Sequence, residues 1–162
     1  MAKLIIIRGN SGSGKSTVAQ LLQHVLGAGV MLVGQDEIRR NILNVRDQPN
    51  NLAIQLIEDI VNYGIVHCDY VILEGILNKS KYGSMIDNLM NQMNVETHTY
   101  YFNLSFQETV RRHNLKPDTD FGPEAMANWF LKNDVLGVKN EKCISQAMSE
   151  NEIVKMILVD II

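Results

Sequence analysis

The chain has 162 residues, with fifteen Lys and Arg against eighteen Asp and Glu, a formal charge of -3. Apolar residues make up 46% and charged residues 20%, with eleven Gly and three Pro, a balance that excludes fibrous and disordered classes. The acidic net charge excludes an overall attraction to a long polyanion or an anionic membrane, and the length fits one domain spanning 1–162.

The amino-terminal apolar run Leu4-Ile5-Ile6-Ile7 reads as a strand buried on both faces. It is too short for a signal-peptide core or a membrane span, so the cytoplasm is the expected compartment. Val18, Leu21, Leu22, Val25 and Leu26 then recur at helical spacing, with Gly27 and Gly29 as a stop. A second strand over 30–33 ends at Gly34-Gln35-Asp36, and a helix is expected from about 37 to 45, broken by Asp47-Gln48-Pro49-Asn50. Ala53, Leu56, Ile57, Ile60, Val61 and Gly64 mark one face of the next helix, and a third strand over 70–73 closes on Glu74-Gly75.

Tyr82, Met85, Ile86, Leu89, Met90 and Met93 predict a further amphipathic helix, followed by a strand over 97–102. Ser105-Phe106-Gln107-Glu108 has the form of a capping box opening a helix to about 114. The stretch 115–122 has no period and is expected to be a mobile loop, before Pro123 opens a helix carrying Met126, Trp129 and Phe130. A fifth strand is expected over 141–145, and a second capping box, Ser149 to Glu152, starts a terminal helix lined by Ile153, Met156, Ile157 and Ile161. Strands alternating with helices predict a doubly wound α/β sheet. Cys68 and Cys143, far apart and outside any ligand spacing, read as buried free thiols; Trp129, Phe130 and the Met face read as core.

Gly9-Asn10-Ser11-Gly12-Ser13-Gly14-Lys15-Ser16 matches G-x-x-x-x-G-K-[ST] between a predicted strand and a predicted helix. Glycines let backbone N–H groups turn inward around phosphate oxygens, and the helix start adds its positive dipole end. Lys15 is then a donor to the β and γ phosphates of ATP, Ser16 a ligand for Mg²⁺, and Thr17 a donor to an inner phosphate. A guanine-reading Asn-Lys-x-Asp is missing, since Asn78-Lys79-Ser80 is followed by Lys81.

Asp36 ends the second strand and Arg39 lies one helical turn on. A carboxylate there can take a proton from an attacking hydroxyl, and the arginine can hold an anionic or polar group; Glu37 and Arg40 are second choices. Glu74 ends the third strand where a metal-associated acid is expected. With these motifs the chain resembles the small P-loop kinases that group with polynucleotide 5'-hydroxyl kinases, zeta-toxin kinases, chloramphenicol phosphotransferase and gluconate kinase. The resemblance covers nearly the whole chain. It implies a three-layer P-loop NTPase fold of the nucleoside and nucleotide kinase kind, with a five-stranded parallel sheet flanked by helices. It also implies phosphoryl transfer from ATP to a hydroxyl, with substrate activation by Asp36 and Arg39.

Kinases of this kind place arginines in a lid, here expected at Arg111 and Arg112 within 111–123, with Lys116 where relatives often have Arg. The expected activity is transfer to the hydroxyl of a small-molecule acceptor. The alternatives are an ATP-binding switch or slow ATPase, and a nucleic acid 5'-hydroxyl kinase, against which the acidic charge argues.

Overall fold

Leu4, Ile5, Ile6 and Ile7 are all fully buried, and the pleat sends Leu4 and Ile6 into one apolar cluster and Ile5 and Ile7 into another. Burial on both faces suits the centre of a parallel sheet. Strand β1 (Ala2–Gly9) accordingly pairs in parallel with β3 (Tyr70–Gly75) on one side and β4 (Val95–Asn103) on the other. Strand β2 (Met31–Gly34) extends the sheet beyond β3, and β5 (Lys142–Ser145) extends it beyond β4, giving the order β2-β3-β1-β4-β5. The computed structural model describes residues 1–117 and 119–162; position 118, inside the expected lid, lies outside the described residues.

Each face of the sheet carries its own helices. Helix α2 (Leu52–His67) brings Ala53, Ile57, Val61 and Ile65 to the first cluster, and α3 (Lys79–Met90) brings Tyr82, Met85, Ile86 and Leu89. Helix α1 (Lys15–Leu26) covers the second face with Val18, Ala19 and Leu22, beside α6 (Glu150–Ile161) with Ile153, Val154, Ile157 and Ile161. The result is the expected three-layer P-loop fold. Two shorter helices, α4 (Phe106–Asn114) and α5 (Pro123–Trp129), stand at the carboxyl-terminal end of the strands. Among the described residues no helix is long and apolar enough to cross a membrane.

Several expectations are corrected. The helix expected over 37–45 is a π-helical turn, Glu37–Ile42, in which the Leu43 N–H reaches back to the Ile38 carbonyl at 3.0 Å. Met93 is 96% exposed because α3 stops at Met90 and its apolar stripe stops with it. Cys143 is exposed and Cys68 half-buried: only Ile144 of β5 faces inward. Trp129 is 46% exposed and Phe130, just past the end of α5, is half-buried, so α5 faces the core through Met126 and not through its aromatic residue.

The capping box at Ser149 is complete. That at Ser105 is half-formed: its Oγ accepts the Glu108 N–H, but its own N–H donates to Gln146 Oε1. The Glu108 carboxylate is engaged by Arg111 and Arg112 instead.

Candidate active site

Between β1 and α1 the chain makes a tight glycine loop whose shape depends on two positions. Gly12 has φ +80, and a Cβ there would lie 2.6 Å from the Thr109 carbonyl, so only glycine lets α4 sit against the loop. Gly14, at φ +94, is the N-cap of α1 and provides no side-chain cap. The first N–H groups of α1 are thereby left available to an anion.

Lys15 is almost wholly buried, and its Nζ donates to the Asn10 carbonyl at 2.9 Å and to Ser13 Oγ at 3.4 Å. Burial pulls its ammonium down to about 8, against the opposing pull of Glu74 and Asp36. The site thus holds a buried cation that a bound anion would stabilise. Ser16 Oγ donates to Glu74 Oε1 at 3.1 Å, and burial pushes the Glu74 carboxyl up despite Lys15 and this hydrogen bond. A hydroxyl and a carboxylate converging on one point form an oxygen donor pair that fits Mg²⁺.

Two adjoining cavities open over the strand ends. The smaller, about 260 Å³, is walled by the glycine loop, Ser16, Thr17, Glu74, His113 and Lys116. The larger, about 710 Å³, lies beside the π-helical turn and α5. Ser11, Asp36, Arg40, Ile76, Asp120 and Phe121 line both. Asp36, two residues past β2, therefore stands on the shared wall. Its Oδ1 lies 3.6 Å from Arg39 Nη2, while Arg39 Nη1 donates to the Val45 carbonyl at 3.0 Å. Arg39 Nε is buried and has no acceptor among the described residues. Glu37 is exposed and bonded to Asn41, whereas Arg40 is on the shared wall and paired with Asp120 at 3.2 Å.

Of the two expected lid arginines, the structure brings one to the loop. Arg112 Nη1 donates to the Ser13 carbonyl at 2.8 Å, and its Nε is held by Glu108 Oε1. Arg111, 61% exposed, is turned away by the helical phase and clamped by the same carboxylate, while Arg112 Nη2 donates to the Gln146 carbonyl at 3.2 Å; neither arginine lines either cavity. The two guanidiniums hold the Glu108 carboxyl down at about 2. Lys116 does line the smaller cavity. His113, buried, contacts the Phe121 carbonyl at 2.8 Å and stacks on its ring, tying the end of α4 to the loop before α5.

Gly9, Asn10 and Ser13 are buried and line neither cavity. The Asn10 side chain instead forms a two-way hydrogen bond with the Leu131 backbone, at 2.8 Å in each direction. A buried polar frame supports these walls, and sequence reasoning missed it. Arg8 is fully buried in β1; Nε and Nη2 donate to the Leu77 carbonyl, and Nη1 and Nη2 to the Asp134 carbonyl and Oδ2. Gln35 Oε1 accepts the Leu77 N–H at 2.8 Å. Leu77 is thus held from both sides at φ +42, a costly conformation for a branched side chain, and its neighbour Ile76 faces both cavities. A lone arginine in an apolar strand was the available signal.

A family model described as an AAA domain matches residues 4–129. No curated protein matches the sequence. Among solved structures, a gluconokinase from Sinorhizobium meliloti superposes with a TM-score of 0.69 at 14% identity, over 98% of this chain and 91% of that one. The Mycobacterium tuberculosis APS kinase, solved with AMPPNP and APS, gives 0.70 at 17% identity over 99% and 96%. The Aquifex aeolicus shikimate kinase gives 0.59 at 18% over 97% and 94%.

Proposed function

The chain belongs to the AAA-domain family, and on that premise we propose that it is a phosphotransferase moving the γ-phosphoryl group of ATP to a hydroxyl of a small-molecule acceptor. The observation that carries this reading is the position of Asp36, on the wall shared by a phosphate-sized cavity and a larger one. A nucleotide switch needs the first cavity and has no use for a base between the two.

In this reading the α1 N-terminus and Lys15 bind the β and γ phosphates. Ser16 and Glu74 would hold Mg²⁺, which would supply charge neutralisation to the phosphates. The Asp36 carboxylate accepts the proton of the acceptor hydroxyl, whose oxygen bonds to the γ phosphorus as the bond from that phosphorus to the β–γ bridging oxygen breaks and ADP leaves. Arg39 holds the acceptor. Arg112 and Lys116 supply positive charge near the transferred group, and 111–123 acts as the lid that excludes water. The kinases among the structural neighbours are consistent with the same chemistry.

The test is Mg²⁺-dependent transfer of label from γ-labelled ATP to a panel of nucleosides, sugars, antibiotic-like alcohols and 5'-hydroxyl oligonucleotides, with Lys15→Ala in parallel. A labelled small molecule that vanishes in the variant is the expected result. Label released only as free phosphate points to the slow ATPase, and label on oligonucleotides alone to the nucleic acid kinase.

A further inference from the structure

The larger cavity is uneven in charge and in chemistry. Arg39, Arg40, Arg46 and Lys81 line it, against the carboxylates Asp36, Asp47 and Asp120. Each carboxylate already has a cation: Asp36 faces Arg39 at 3.6 Å, Asp120 faces Arg40 at 3.2 Å, and Asp47 faces Lys81 at 3.4 Å while also accepting from the Tyr82 hydroxyl. Among the described residues Arg46 is the cation left over, on a molecule whose net charge is -3.

Its placement is built rather than incidental. The Arg39 guanidinium is bonded to the carbonyl of Val45, the residue before Arg46, and the Val45 N–H donates to the Arg39 carbonyl at 3.0 Å. That reciprocal staple closes the π-helical turn and sets both arginines on one wall. The Arg39 guanidinium itself is only loosely engaged on its other side, since Nη2 stands 3.6 Å from Asp36 and the buried Nε has no acceptor among the described residues.

The wall contributed by α5 is different. Trp129, 46% exposed, meets Phe121 edge to face at 5.0 Å, and both line the cavity with Ala125. An indole left open beside a cavity of about 710 Å³ is a surface for a flat ring.

The geometry points to an acceptor that carries one oxyanion, held by Arg46 with Arg39, and a flat ring laid against Trp129. This rests on the phosphotransferase reading and narrows its substrate class to ring-bearing hydroxy acids or phosphate esters. Arg46 and Trp129 are its specificity-determining residues.

Trp129 is the single tryptophan of the chain, so its fluorescence reports occupancy without turnover. The probes are uridine monophosphate against uridine, para-hydroxymethylbenzoate against its methyl ester, and glycerate as a ring-free anion, each titrated with a saturating non-hydrolysable ATP analogue present. Quenching by the ring-bearing anions and not by their neutral partners is expected, and the pair that responds identifies phosphate or carboxylate as the oxyanion. Arg46→Gln should raise that Kd about tenfold or more, since a charge-assisted hydrogen bond is worth at least such a factor, and Arg46→Lys should recover part of it. By calorimetry, Trp129→Ala should weaken the ring-bearing anions.

Equal binding of charged and neutral partners, an unchanged Kd in Arg46→Gln, or no response to any probe overturns the inference. The two readings fail separately. Labelling of neutral acceptors with ATP sinks this one and leaves the phosphotransferase standing; anions that bind and are never phosphorylated do the reverse.

Discussion

Lys15, for which we propose a phosphate-binding role, is ill suited to the fold of the ligand-free protein. Its ammonium, lowered from 10.5 to about 8 by burial, carries its full penalty in the ligand-free protein below pH 8, and the penalty is lifted as pH rises towards 10.5. The shift sets an upper bound of about 3 kcal/mol, and the loss of the hydrogen bonds to Asn10 and Ser13 offsets part of any gain. Lys15→Met is therefore expected to raise the Tm of the ligand-free protein at pH 7 by about 2–6 °C and to abolish the further rise produced by Mg²⁺-ATP. A thermal melt showing a lower Tm contradicts the burial argument. Glu74 makes the opposite case. Its carboxyl is raised above the ordinary 4.5, mainly by burial, so the protonated form persists to higher pH in the folded site. In the metal role we propose for Glu74 only the carboxylate would bind, so the acid limb of the rate profile should lie above pH 4.5 and disappear in a residual Glu74→Gln activity; a limb at or below 4.5 excludes that role. That Lys15, Ser16, Asp36 and Glu74 would meet around one cavity was legible from the chain, because each sits at a fixed offset from a strand end. Arg46, Trp129 and Arg8 were not, because their meaning comes from segments that only the fold brings together.

At the scale of elements, the strands and major helices follow from periodicity, and the misreadings cluster where a tertiary contact overrides a local preference. The stretch after Asp36 has good helix formers, yet the staple between Arg39 and Val45 accompanies a wide π turn. Ser105-Phe106-Gln107-Glu108 spells a capping box, but Glu108 is drawn off by two arginines. The segment from 130 to 141 has no period at all and is held by Arg8 of β1, Asn10 just beyond it and Tyr101 of β4. Arg8 is the main anchor, buried against Asp134 at 3.0 Å, with Glu141 farther off at 3.9 Å. Removing one partner of a buried pair leaves an uncompensated charge, so Asp134→Ala should cost about 2–4 kcal/mol, somewhat below the usual range because Glu141 remains. Arg8→Met, which leaves both Asp134 and Glu141 without their cation and the Leu77 carbonyl without its donors, should cost at least as much. Urea midpoints at constant slope measure both; an Asp134→Ala protein within about 0.5 kcal/mol of the parent would show that the segment is anchored elsewhere.

On the scale of the whole molecule, the sheet order places β1 between β3 and β4, so the loop after β1, the acid ending β3 and the turn after β2 all meet at one edge. Ligands of open parallel sheets bind at such strand ends, and the two cavities lie there, with Asp36 between them. We propose that 1–162 works as one catalytic unit, phosphate donor on one side of Asp36 and acceptor on the other. The measurement that bears on this most directly compares Asp36→Asn with the parent protein in two readouts, Mg²⁺-ATP affinity and the single-turnover rate of phosphoryl transfer to the acceptor found in the labelled screen. The account predicts an ATP affinity within about threefold of the parent and a transfer rate lower by about 10²–10⁴. A transfer rate that survives the substitution would contradict it.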